Sequence, residues 1–375
     1  MVAVTHPFSD DHEQLRAAVR RFLADKSPET EVRRLMEQTE GFDRAVWRQM
    51  AEQLELMALI IPGEYGGAGH SYAELSVVLD EMGRALLCAP YFATVALAAN
   101  LLLASRDERA KEEYLPGIAS GRTIATVALA ERQGDWGESG ITLEATRTPD
   151  GGWRLSGEKH YVLDGHVADL VLVVARTRAG VSLFAVGKDA AGLAAAPVAT
   201  LDPTRKLARL SFDRVRARPV GADGEGWPAV ARMLDLAAVA LAAEQAGGAQ
   251  RVLEMAVAYA RLRVQFGRPI GSFQAVKHKC ADMLLEVESA RAAAYHAGWA
   301  VAEDDDEVPV LASLAKSCCS EAYFHAAAEN IQIHGGIGYT WEHPAHLYFR
   351  RAKSSELLFG DAAHHRELLA RRIGV

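Results

Sequence analysis

Arg263-Val-Gln-Phe-Gly-Arg-Pro-Ile-Gly-Ser-Phe-Gln-Ala275 decides how this chain is read. A helical pattern runs up to it, Gly267 and Pro269 interrupt the helix, and a helical pattern resumes at Phe273. The interruption sets Arg263, Gln265, Phe266 and Gln274 around one helix–turn–helix corner. A guanidinium, two carboxamides and an aromatic ring at a helix end suit a pyrophosphate joined to a flat heterocycle. A solvated basic turn would account for one arginine beside a glycine, but not for the whole run.

The remaining composition bounds the answer. A chain of 375 residues, half hydrophobic and 24% charged, has room for two or three domains with ordinary globular cores. A formal charge of -8 with no dense Lys/Arg block argues against nucleic acid as a partner. Cys88, Cys280, Cys318 and Cys319 form no C-x-x-C pair, and the N-terminus has no charged-then-apolar signal pattern, so a reducing, cytoplasmic location is expected. The uncharged run 85–105 is long enough to span a bilayer, but Pro90, Asn100 and many alanines make it weakly apolar. It is expected as one helix buried in protein, not in a membrane.

Periodicity divides the chain in three. Apolar 3.6-residue patterns fill 10 to about 120, giving a helical domain over 1–121. Short β-rich runs at 123–130, 153–155, 170–175, 181–186 and 208–212, separated by turns such as Pro149-Asp-Gly-Gly152, predict a small antiparallel β domain or barrel over 122–221. Long Ala/Leu-rich patterns from Trp227 onward predict a helical bundle over 222–375. The expected class is α+β, mostly α. The glycines of Pro62-Gly-Glu-Tyr-Gly-Gly-Ala-Gly69 follow no strand and make a poor dinucleotide loop.

A second block, Gln332-Ile-His-Gly-Gly-Ile-Gly338 followed by Arg350-Arg-Ala-Lys353, has adjacent glycines that let a backbone come close to a ligand. With this block, the 263–275 corner and the order helices, strands, helices, essentially the whole chain resembles the acyl-CoA dehydrogenase family of flavoproteins. The resemblance implies that the corner reaches across a subunit interface to the ADP half of FAD. Arg263, Gln265, Phe266, Ile270, Phe273 and Gln274 would be its contacts there, joined by Gln332 and Gly336 from the glycine bend. On the flavin side, a Thr-Glu-Pro-Gly-like strand end matches Leu129-Ala-Glu-Arg-Gln-Gly134, where the N–H groups of Leu129 and Ala130 would serve the pyrimidine edge. A Trp-x-Thr pattern matches Tyr161 and Leu163. Tyr161 can still stack on a ring, whereas Leu163 has no hydroxyl to offer the flavin N5.

The implied reaction, α,β-dehydrogenation of an acyl-CoA thioester, needs a carboxylate to take the α-proton while the β-hydrogen leaves as hydride. The family's usual Glu-Gly-Thr matches Phe359-Gly360-Asp361, and its alternative position falls on Ala237. Ala238 replaces an arginine that usually assists CoA. Glu244 is then the expected base. It is the only charged residue between Asp235 and Arg251, shares a helix face with 237, and lies about 10 Å along the axis at ~1.5 Å per residue. A structural carboxylate paired to another helix is the competing expectation for it. Glu356 and Asp361 are weaker candidates, and Asp361 could be a helix cap. His343-Pro-Ala-His346 and His364-His365 lack the spacing and companions of a metal set.

The resemblance leaves three readings. In the first the chain is a complete FAD-dependent acyl-CoA dehydrogenase, a dimer of dimers passing electrons to an electron-transfer flavoprotein. In the second it is an arm-lending subunit of a hetero-oligomer whose sister carries the base. Residues lent to a neighbour (Arg263, Phe266, Gln274, Gln332) survive, and residues of the chain's own pocket (Leu163, Ala238, Phe359) are altered. In the third the chain binds thioesters without oxidising them.

Overall fold

The computed structural model describes residues 9–375. The N-terminal third is helical: α1 (Asp10–Lys26), α2 (Glu29–Glu37), α3 (Arg44–Glu52), α4 (Tyr72–Arg84), α5 (Asn100–Ala104) and α6 (Glu108–Ala119). Four of these starts have a side-chain cap. Ser9 accepts the N–H of His12, Ser71 and Glu74 form a capping box, and Asp43 and Asp107 cap α3 and α6. The C-terminal helices are α7 (Trp227–Leu262), α8 (Gln274–Ala302), α9 (Val308–His334), α10 (Ala345–Leu357) and α11 (Ala362–Arg372).

By contact the described residues form two compact units. The first gathers residues up to 33, 71–87 and 238–375. In it α4 and α7 touch backbone to backbone: a Cβ on Gly247 would stand 1.8 Å from the Asp80 carbonyl, and one on Gly83 would stand 1.9 Å from that of Glu244. Gly83 and Gly247 make this approach possible, because neither puts a Cβ between the two backbones. Beside this seam Asp80 accepts from Arg16 at 2.5 Å and from the Tyr295 hydroxyl at 2.8 Å, so its buried charge is compensated.

The second unit, residues 34–70 and 88–237, contains the strands β1 (Ala125–Ala128), β2 (Glu144–Arg147), β3 (Trp153–Leu163), β4 (Leu170–Arg176), β5 (Val181–Gly187), β6 (Leu193–Val198) and β7 (Leu207–Val220). β5 pairs with both β4 and β7, β7 with β3, β3 with β2, and β2 touches β4, so the sheet closes into a small barrel. Most pairings are antiparallel as expected. β1 against β4 is parallel, with Ala125 opposite Leu170. β2 and β6 carry no clear alternation and were not legible as strands, and β3 and β7 run well beyond their apolar cores.

The run 85–105 is buried but is not one helix from its first residue. Leu86 takes a left-handed φ of 49°, and the helix begins only at Tyr91. Phe92–Ala99 then has π-helical geometry before α5. Among the described residues no helix is long and apolar enough to cross a membrane.

Candidate functional site

The 263–275 corner is a hairpin. α7 ends at Leu262, where the Arg263 N–H donates to the Tyr259 carbonyl at 2.8 Å. Two short strands follow, β8 (Val264–Gln265) and β9 (Arg268–Pro269), paired antiparallel. Their two connecting residues, Phe266 (φ 52°) and Gly267 (φ 76°), are both left-handed, which is the requirement of a type I′ turn. The Ile270 N–H closes the loop on the Arg263 carbonyl at 2.8 Å. Phe266 is 91% exposed, and its edge meets Phe273 at 6.1 Å. The Arg268 guanidinium lies 4.2 Å over Phe273, a contact the sequence did not suggest. Arg263, Gln265 and Gln274 are exposed, while Ile270 and Phe273 are half-buried and support the turn.

The glycine bend follows α9. Gly335 has φ 64°, and Gly335–Tyr339 forms a short 3-10 turn. A Cβ at Gly335 or Gly336 would meet nothing within 4 Å, so this backbone faces open space. Gln332 and Gly336 are exposed. One stack joins bend and corner. Tyr259, one turn before Arg263, lies against His334 with ring centroids 4.2 Å apart and planes 25° apart. His343 faces His334 at 4.3 Å. The two segments singled out in sequence therefore meet at one end of the first unit.

In the second unit Leu129 and Ala130 prolong β1 and are buried. Their carbonyls are engaged, Leu129 by Lys159 Nζ at 2.7 Å and Ala130 by the His160 N–H at 2.9 Å. The β3–β7 register shifts between Lys159 and Val162, and Tyr161 takes φ 56°. This bulge turns the Tyr161 ring outward, 41% exposed, with its hydroxyl donating to the Arg132 carbonyl at 3.3 Å. Leu163 is buried, and its carbonyl accepts from the Thr126 hydroxyl at 2.6 Å. Strand end and bulge are thus neighbours. Fully buried Lys159 binds them together and also pairs with Glu131 at 2.9 Å. Burial pushes Lys159 down to about 8, a shift that Glu131 only partly opposes. Burial works against the Glu131 carboxylate, but hydrogen bonds from Thr142, then Lys159, and the Leu143 N–H hold it at about 2. Nothing in the local sequence marks this pair.

The acid–base candidates separate clearly. Glu244, isolated along the chain, is not isolated in space. Arg351 of α10 donates to its Oε1 at 2.9 Å, and the two side chains are only 7% and 4% exposed. Arg351 stands 107 residues away, and no local pattern announced it. Phe359 is buried with a left-handed φ of 61°, followed by Gly360 at 103°. Two buried side chains hold that turn. Lys316 Nζ donates to the carbonyls of Glu356 (3.1 Å) and Gly360 (2.9 Å), and His365 Nε2 donates to that of Phe359 (3.2 Å). Glu356 pairs with Lys353 at 2.9 Å. Asp361 is the N-cap of α11, accepting the His364 N–H at 2.8 Å.

Comparison with known proteins places this geometry. Residues 9–122 match the acyl-CoA dehydrogenase N-terminal domain, 126–215 the middle domain, and 224–374 the C-terminal domain. The chain belongs to the acyl-CoA dehydrogenase family. It is 38% identical over 362 residues to acyl-CoA dehydrogenase IpdE2 of Mycobacterium tuberculosis, covering 96% of each. It also superposes on the ChsE4-ChsE5 complex from Mycobacterium tuberculosis, with a TM-score of 0.89 and 30% identity over 98% of both chains. A third match is the Tcur3481-Tcur3483 steroid ACAD, with a TM-score of 0.87 and 31% identity over 97% of this chain and 98% of that one. Membership makes the protein a flavin-dependent oxidoreductase of acyl-CoA dehydrogenation.

Proposed function

We propose that this dehydrogenase chain works as one subunit of a hetero-oligomeric acyl-CoA dehydrogenase. It lends its corner and glycine bend to the ADP half of FAD, and a sister chain of the same fold carries the base. The observation that carries this reading is the buried Glu244–Arg351 pair. The Arg351 guanidinium, 2.9 Å from Glu244 and buried with it, favours the ionised carboxylate, so a proton taken from substrate would have to displace this charge pairing. Phe359, at the position matching the family's usual glutamate, has no proton-accepting group.

The chain's own residues fit the lending role. Arg263 and Gln265 are exposed donors for a diphosphate, Phe266 offers an open aromatic face, and Gly336 presents backbone where any larger residue would project. Bound FAD supplies the acceptor for the substrate's β-hydrogen. Where the chain also faces a flavin, the N–H groups of Leu129 and Ala130 would meet its pyrimidine edge and Tyr161 its ring. Two structurally similar proteins have paired names, and one of these names includes the word steroid. By that analogy the acyl-CoA is bulky and steroid-derived. A cytoplasmic electron-transfer flavoprotein would take the electrons onward.

The test is to purify the chain alone and co-expressed with its candidate sister, then to measure FAD per chain and flavin bleaching by acyl-CoA thioesters. FAD and bleaching only in the mixed assembly are the expected result. Stoichiometric FAD and bleaching by the chain alone would overturn the reading.

A second reading rests on the placement of Glu244, which is 5% exposed in a helix stretch otherwise free of charge. There it is the base of a self-sufficient homo-oligomer, a dimer of dimers. In that case Glu244→Gln must abolish flavin reduction by substrate, and wild-type reduction in that variant rejects it.

A further inference from the structure

We propose that Tyr259 and His334 are positioning residues for the nucleotide arm. Their stack fixes the 263–275 hairpin against the glycine bend, and it does so only while His334 is neutral. This rests on the reading that both segments hold FAD.

The geometry begins with the helix ends. Arg263 is tied through its own N–H to the Tyr259 carbonyl, so the Tyr259 position sets where the hairpin starts. His334 is the last residue of α9, directly before Gly335, whose left-handed backbone opens the bend. The two rings lie 4.2 Å apart and nearly parallel, and His343 covers the other side of His334. His334 is buried and its Nδ1–H donates to the Asn330 carbonyl at 2.7 Å, which fixes both ring orientation and tautomer. One imidazole thus connects the last turn of α7, the last turn of α9 and the segment leading into α10.

Protonation would loosen this arrangement. Burial holds His334 below the ordinary histidine value, and burial followed by the neighbouring His334 does the same to His343. Near this pair α2 contributes Glu29 and Arg33, α10 contributes His346 and Arg350, and α7 contributes Tyr259 and, one turn on, Arg263. Glu29 is paired with Arg33 at 2.8 Å and so offers little attraction to an added proton, while His346 repels one at His343. Both folded values are depressed, so the neutral stack persists at neutral pH and is lost as pH falls below the ordinary histidine range.

The experiment measures FAD affinity of the assembled holoprotein by fluorescence titration near pH 7.5 and near pH 5.5, with apo thermal unfolding alongside. Four proteins are compared: wild type, His334→Phe, His334→Ala and Arg263→Ala. Wild type should weaken on acidification, by less than about tenfold because the folded His334 value lies below the ordinary one. His334→Phe keeps a flat ring without a titrating group, so it should bind as wild type near neutrality and lose most of the pH dependence. His334→Ala should bind about tenfold more weakly at both pH values. Wild-type affinity in His334→Ala, or an undiminished pH effect in His334→Phe, would overturn the inference. Arg263→Ala separates the two levels: if it binds FAD normally, the arm reading fails, and if it alone weakens binding, only the stack proposal fails.

Discussion

Glu244→Gln distinguishes a structural ion pair from a catalytic base because the two roles predict opposite separations of stability and chemistry. The Glu244–Arg351 contact is 2.9 Å and both side chains are almost fully buried, so it lies outside the regime of surface pairs, which contribute about 0–1 kcal/mol. Removing one member of a buried pair typically costs about 3–5 kcal/mol, because the remaining charge stays desolvated without compensation. Glu244→Gln and Arg351→Met should each lose stability of that order. Glu244→Leu combined with Arg351→Met should recover part of it, because both charges of the pair are removed together. The assay is urea unfolding of the assembled protein at fixed concentration and saturating FAD, which keeps the contributions of assembly and ligand constant. A loss below about 1 kcal/mol for Glu244→Gln, or a double variant as unstable as the worse single, would refute the structural role. Combined with abolished flavin reduction, such a result would restore Glu244 as the base.

Three further outcomes are expected. Gly247→Ala should destabilise by about 3 kcal/mol or more, since its Cβ would lie 1.8 Å from the Asp80 carbonyl on α4, whereas Gly336→Ala meets nothing and should unfold within about 0.5 kcal/mol of wild type while weakening FAD binding; paired urea and FAD titrations check both. Burial, then the nearby Lys316, depress His365 to about 3. The unfolded chain therefore takes up this proton first, and stability should fall by about 1.4 kcal/mol per pH unit below the ordinary histidine value, a slope that His365→Asn should flatten in urea unfolding at successive pH values. Phe266→Ser should leave unfolding almost unchanged, because the ring is 91% exposed, yet speed FAD release in stopped-flow displacement.

The sequence was most informative where chemistry is local. The Phe266-Gly267 break, the twin glycines after His334 and the Asp361 cap each depend on a few adjacent residues, and each was legible, although the break is a two-rung hairpin and not a bare turn between helices. Long-range pairings were not legible. Glu244 looked solitary because its counterion lies on another helix, and no pattern around Lys159 indicates that its ammonium lies against Leu129 and Glu131. Weak strands failed for a different reason. β6 is largely exposed and alanine-rich, so it lacks the apolar alternation that marks a strand, and its place is set by its ladder with β7. The late helix start after 85 has a similar origin: an uncharged apolar run does not encode the left-handed turn at Leu86 that delays it.

The hairpin's two left-handed residues have a kinetic consequence. Phe266 pays a steric cost to hold its backbone there, and the adjoining rungs keep that geometry in a structure with no nucleotide. An arm folded in advance loses little freedom on capture, so encounter should be quick and lesions in the turn should shorten the dwell time of the bound nucleotide more than they slow its arrival.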